Sequence, residues 1–96
     1  MATFISLLSF TDQGIRNIKE SPDQYAAFRG MAEKLGEAVK GFYYTVGHHD
    51  MGVIMEGTDE AVATAPLHAG SLGNVRSQTL RGFSVEETKK LIGNIP

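Results

Sequence analysis

Residues 38–55, A-V-K-G-F-Y-Y-T-V-G-H-H-D-M-G-V-I-M, decide how the rest of the chain folds. Residues 39–46 are dense in β-branched and aromatic side chains, and residues 51–55 form a second apolar run. Between them Gly47, His48, His49 and Asp50 make a polar tip, so the stretch predicts a β-hairpin with a four-residue turn. Apolar and aromatic residues of the first run fall on both parities. A strand patterned that way is covered on both faces.

Working outward, a helix is expected on each side of the hairpin. Upstream, Ser21, Pro22, Asp23 and Gln24 carry the marks of a helix start, with Ser21 as N-cap, proline at the first helical position and an S-x-x-Q capping box. Tyr25, Phe28, Ala32 and Leu35 then recur at spacings of three and four, and Gly36 is placed to end the helix. Downstream, Thr58, Asp59 and Glu60 precede Ala61, Val62, Ala65 and Leu67. Pro66 falls inside this second helix and predicts a kink or a break.

Each helix has a further strand beyond it. Residues 3–10, T-F-I-S-L-L-S-F, again carry apolar residues on both parities, and Thr11 and Asp12 open a short helical turn. Residues 75–83 alternate polar and apolar, as a half-exposed strand does. Ser84 and Glu87 form another capping box before a terminal helix through Leu91 and Ile92. The order is β-α-β-β-α-β plus a C-terminal helix, with both crossovers long enough to return to a parallel neighbour. The expected fold is a ferredoxin-like α+β sandwich spanning residues 1–96 as one domain. Two helices cover one face of a four-stranded sheet, so the other needs a partner. A homodimer stacking sheet on sheet, a dimeric α+β barrel, meets that need.

Composition narrows the function classes. At 96 residues with 42% hydrophobic and 21% charged side chains, the chain suits one modest core and is too apolar for intrinsic disorder. A net charge of −2 argues against a nucleic-acid partner, which requires clustered Lys and Arg. No apolar run approaches a membrane span, and residues 1–10 lack a basic leader and a cleavage site, so a cytoplasmic location away from the membrane is expected. Cysteine is absent, which removes disulfides, thiolate nucleophiles and Cys-ligated metals. Residues 70–74, G-S-L-G-N, lack the lysine and the preceding strand of a phosphate loop, and no cofactor is expected.

Gly47, His48, His49 and Asp50 are the only dense cluster of titratable groups, and imidazole is the side chain most readily poised for proton transfer near neutral pH. His68 offers a third imidazole, but no helical H-x-x-x-H or E-x-x-H pairing accompanies it, and no metal is expected. The plainer alternative is a turn in which Asp50 accepts backbone amides. Tyr43 and Tyr44 point to opposite sides of one strand, one toward the helices and the other toward the barrel or interface. Arg76 and Arg81 lie on opposite parities of the last strand, and either is suited to clamp a carboxylate.

Taken together, F-I-S-L-L-S-F-T-D-Q-G-I-R-N-I-K, F-Y-Y-T-V-G-H-H-D-M-G-V-I and L-G-N-V-R-S-Q-T-L-R-G-F closely resemble the GYD-domain family of small bacterial proteins. The resemblance implies a dimeric α+β barrel unit and carries no established reaction. Its name-giving motif falls on Gly47, His49 and Asp50, with His49 where the family has tyrosine. The hairpin and the G-N-V stretch are also similar to the effector-binding domain of Lrp/AsnC regulators, in which matching positions lie near an amino-acid site between subunits.

The function expected from all this is a homo-oligomeric module that binds a small organic molecule or serves as an accessory protein. Its candidate ligand residues are Gly47, His48, His49, Asp50, Tyr44 and Arg76. The alternative is a cofactor-independent enzyme of the monooxygenase, isomerase or dehydratase kind, with His49 as general acid or base and Asp50 orienting its ring. A third reading makes the G-H-H-D turn purely structural.

Overall fold

The computed structural model describes residues 2–96. The central hairpin forms from β2 (Ala38–Tyr44) and β3 (Met51–Gly57), joined through residues 45–50, with a register shift between Val39 and Gly41. β1 (Ala2–Phe10) lies beside β3, and β4 (Val75–Gly82) lies beside β1, giving the strand order β2-β3-β1-β4. Every neighbouring pair is antiparallel. The crossovers do return strands running parallel to those they leave, but one antiparallel strand separates the members of each pair, so they are not neighbours. This is the ferredoxin-like α+β arrangement.

Among the described residues there are four α-helices: α1 (Asp12–Arg16), α2 (Ser21–Lys34), α3 (Asp59–Ser71) and α4 (Val85–Gly93). α2 and α3 cover one face of the sheet. There Leu8, Met51, Val53 and Met55 form the core, with Phe10, Phe28, Val39, Phe42 and Val75 packed around it. The register places Phe4 opposite Met55, Ser6 opposite Val53 and Leu8 opposite Met51, so the even positions of β1 share this face with the odd positions of β3. Ser6 is buried, and its hydroxyl pairs with Thr79 across to β4 at 2.8 Å.

Three local expectations change. β2 ends at Tyr44, so six residues rather than four join the hairpin strands, and Val46 is exposed in that loop instead of lying in the strand. Ser21 does not cap α2: its backbone is already helical, because a 3₁₀ turn at Ile18–Glu20 runs straight into the helix and makes Glu20 the N-cap. Its hydroxyl pairs instead with the Tyr44 phenol at 2.9 Å. Pro66 does not break α3, which continues to Ser71. Ala61, Val62 and Ala65 are buried beneath that helix, and their packing offsets the backbone hydrogen bond that proline removes. The capping box opening α4 forms as expected, with Ser84 Oγ accepting from the Glu87 amide at 3.0 Å and the Glu87 carboxylate accepting from the Ser84 amide at 2.9 Å.

Among the described residues, no helix covers the opposite face of the sheet. Gly41, Ile54, Ile5 and Leu80 stand in register across it, with Tyr43, Gly52, Leu7 and Gln78 in the adjacent row. Tyr43 is 65% exposed and Leu80 40% exposed. α4 is likewise solvent-facing, with Leu91, Ile92 and nearby Ile95 exposed. Among the described residues no helix is long and apolar enough to cross a membrane.

Candidate functional site

Asp50 ties the hairpin to the end of β1. Its amide donates to the Leu8 carbonyl at 2.8 Å, and its Oδ2 accepts the Phe10 amide at 2.8 Å. The turn is closed by the Thr45 amide donating to the Asp50 carbonyl at 2.8 Å and by the Thr45 hydroxyl donating to the His49 carbonyl at 2.6 Å. Gly47 adopts φ +146°, a backbone conformation in which glycine avoids side-chain strain. His48 and His49 meet edge to face with ring centroids 5.0 Å apart. His49 Nδ1 is buried without a hydrogen-bond partner, so Asp50 does not orient that imidazole through Nδ1.

Thr11 and residues 12–14 grip the chain just before β4 from the other side of the same β1 terminus. The Thr11 amide donates to the Asn74 carbonyl at 3.1 Å and the Thr11 hydroxyl to the Gly73 carbonyl at 2.5 Å. That hydroxyl also accepts from the Gly14 amide at 3.1 Å, which caps α1. Gln13 Nε2 reaches the Leu72 carbonyl at 3.2 Å and Asn74 Oδ1 at 3.0 Å. Gly14 sits so close to Asn74 that a Cβ there would lie 1.9 Å from the Asn74 carbonyl oxygen. The T-D-Q-G, G-H-H-D and L-G-N-V stretches, far apart in sequence, therefore meet around Phe10 and Thr11.

Beside this clasp, between the two long helices and the sheet, lies a cavity of about 180 Å³. Leu8, Met51 and Val53 line it from the sheet, Tyr25 and Phe28 from α2, and Leu72 from the end of α3. One wall is an aromatic stack, with Tyr25 lying on Phe42 at a centroid distance of 4.0 Å, and behind that wall Tyr44 supports Phe42 edge to face at 5.2 Å.

Tyr44 is thus the tyrosine beneath the helices, and Tyr43 is the one on the open face. Arg76 pairs with Ser9 on that open face, away from Tyr44. Gly47, His48, His49 and Asp50 are contiguous at the tip, while Tyr44 and Arg76 lie on opposite faces of the sheet, so the six do not share one face. None of the six lines the cavity. Its polar lining comes from Ser21, Gln24, His68 and Asn74. Gln24 reads in sequence as a capping residue and Asn74 as a helix-end residue, and only their spatial convergence marks them. Among the described residues, no three His, Asp or Glu side chains gather as a metal site would require.

One further group stands out electrostatically. Glu37, between α2 and β2, is 3% exposed, and neither carboxylate oxygen has a partner. Burial pushes its carboxyl above the ordinary carboxylate range.

Comparison with known proteins adds two findings. The GYD domain model matches residues 4–92. A protein of Thermus thermophilus described as a glutamine synthetase and cystathionine beta-lyase binding protein is 33% identical over 89 residues, which is 91% of this chain and 94% of that protein.

Proposed function

The chain belongs to the GYD-domain family, and from that premise we propose that it is a homodimeric accessory protein whose work is to bind other proteins. The observation that carries this reading is the open sheet face. A folded monomer of this mass is expected to expose roughly 5,400 Å², whereas the chain exposes 6506 Å². The excess, about 1,100 Å², is shared between the open sheet face and the exposed α4, and it leaves room for the roughly 800 Å² that each partner buries in a standard interface. Ile5, Leu7, Ile54 and Leu80 supply an apolar centre, and the Lys40–Glu56 ion pair, 3.7 Å apart, contributes to a polar rim. The Tyr43 ring lies over Gly41, while Gly52 in its own row leaves open space that a side chain of the second copy can fill. A surface with such a space suits a two-fold contact with a second copy.

With the sheet face committed to a second copy, the apolar side of α4 is the surface offered to a partner protein, in the manner of an amphipathic helix entering a groove. The relative named for binding glutamine synthetase and cystathionine beta-lyase supports docking onto enzymes. The test is size-exclusion chromatography with light scattering on the purified chain, alone and mixed with each of those two enzymes. A dimer that co-elutes with either enzyme, and that loses co-elution but not dimerisation on Ile92→Glu, is the expected result. A monomer, or a dimer that binds neither enzyme, overturns the reading.

A further inference from the structure

We propose that the cavity between α2, α3 and the sheet is a binding site for a small uncharged molecule of one or two rings bearing one hydrogen-bonding group. The proposal goes beyond protein docking and uses none of the surfaces invoked for it. The volume, about 180 Å³, slightly exceeds the roughly 150 Å³ at which an apolar protein cavity accommodates benzene. It falls short of the roughly 300–1,000 Å³ of sites for larger ligands. The sheltered space fits one or two rings, and because the cavity opens to solvent on one side, any larger part of a ligand would remain outside it.

The lining decides the chemistry. Among the described residues no Asp, Glu, Lys or Arg borders the cavity, so a charged ligand would lose hydration without gaining a permanent countercharge. Tyr25 and Phe42 offer aromatic surface, and Met51 adds a polarisable thioether to the sheet side. Gln24, His68 and Asn74 bring an amide, an imidazole and a second amide, enough to orient one polar substituent. Water is a poor occupant of the apolar part, because it needs two to four polar partners and few are there.

The site is also preformed. The Tyr25–Phe42 stack, the Phe42–Tyr44 edge contact and the Tyr44–Ser21 hydrogen bond hold the aromatic wall in place. Binding would then order few additional groups, which favours affinity in so small a site.

Indole is a fitting probe, because the chain contains no tryptophan to mask its fluorescence. Titration of the intact protein is expected to give saturable binding with blue-shifted emission. Ala69→Leu, which fills the cavity from α3, is expected to weaken binding at least ten-fold. Equal affinity in that variant, no saturation up to the solubility limit of indole, or an equal loss in Ile54→Lys, which would put the probe on the open sheet face, overturns the proposal. Methyl NMR of the unsubstituted protein decides independently of whether Ala69→Leu folds. A ring-current shift at Met51, which lines the cavity, and none at Met31, which does not, supports the site, and the reverse pattern overturns it.

Discussion

The Asp50 carboxylate accepts the Phe10 amide at 2.8 Å while the Asp50 amide donates to the Leu8 carbonyl at the same distance, so one residue of the hairpin satisfies two backbone groups of β1. Asp50→Ala leaves the Phe10 amide without its acceptor and is expected to cost about 1–3 kcal/mol. Asp50→Asn retains an acceptor oxygen and is expected to cost less. His49→Ala, which removes a ring whose Nδ1 has no partner, is expected to cost under about 1 kcal/mol. Urea denaturation of the three variants checks the order.

Gly14 has no room for a side chain. Gly14→Ala drives a methyl group into the Asn74 carbonyl, so α1 must move away from the start of β4. The expected loss is about 1–3 kcal/mol, the scale of overpacking a tight contact, with further cost if the Thr11 hydrogen bonds to Gly73 and Asn74 break. Thermal unfolding measures the loss, and amide exchange at Thr11 reports whether its hydrogen bond survives.

Glu37 makes stability depend on pH in a defined direction. Its carboxyl titrates higher in the folded chain than in the unfolded one, so the native state binds more protons across that window. Its contribution to stability is therefore greatest below the unfolded value, about 4.3, and declines as pH rises toward the raised folded value. Glu37→Met, of similar length and without charge, is expected to stabilise the protein at pH 7 by about 1–3 kcal/mol. At pH 4 the gain should shrink. Denaturant midpoints for both proteins at the two pH values test the sign.

Ile54 stands at the centre of the open sheet face, in register with Ile5 and Leu80. Ile54→Lys places a charge where a second copy is proposed to pack, and the dimer dissociation constant is expected to rise at least 100-fold. The side chain is 37% exposed in the isolated chain, so the fold itself should tolerate the change. Sedimentation equilibrium gives the constant, and circular dichroism confirms the fold.

Much of the architecture was legible because secondary structure follows from short-range rules. The β-rich runs on either side of Gly47–Asp50, the stripe through Tyr25, Phe28 and Ala32, and the Ser84–Glu87 capping box each depend on residues within a few positions of one another. Apolar side chains on both parities of β1 and β2 likewise announced a sheet face that the two long helices leave open. These features determined the order of elements and the ferredoxin-like fold.

Long-range contact decided the rest. Ser21 has the residue type of an N-cap, yet the preceding 3₁₀ turn makes its backbone helical and the return of β2 brings Tyr44 to its hydroxyl. Pro66 signals a break, yet burial of its neighbours holds α3 together. The Asp50 carboxylate could serve a catalytic dyad or a turn, and only the position of β1 assigns it to the Phe10 amide. The cavity has no local signature, because Tyr25, Phe42, Met51, His68 and Asn74 become neighbours only when α2 and α3 settle on the sheet. Hydrogen-bonding periods are properties of adjacent residues, whereas partners and cavities belong to segments tens of residues apart, and packing alone brings those together.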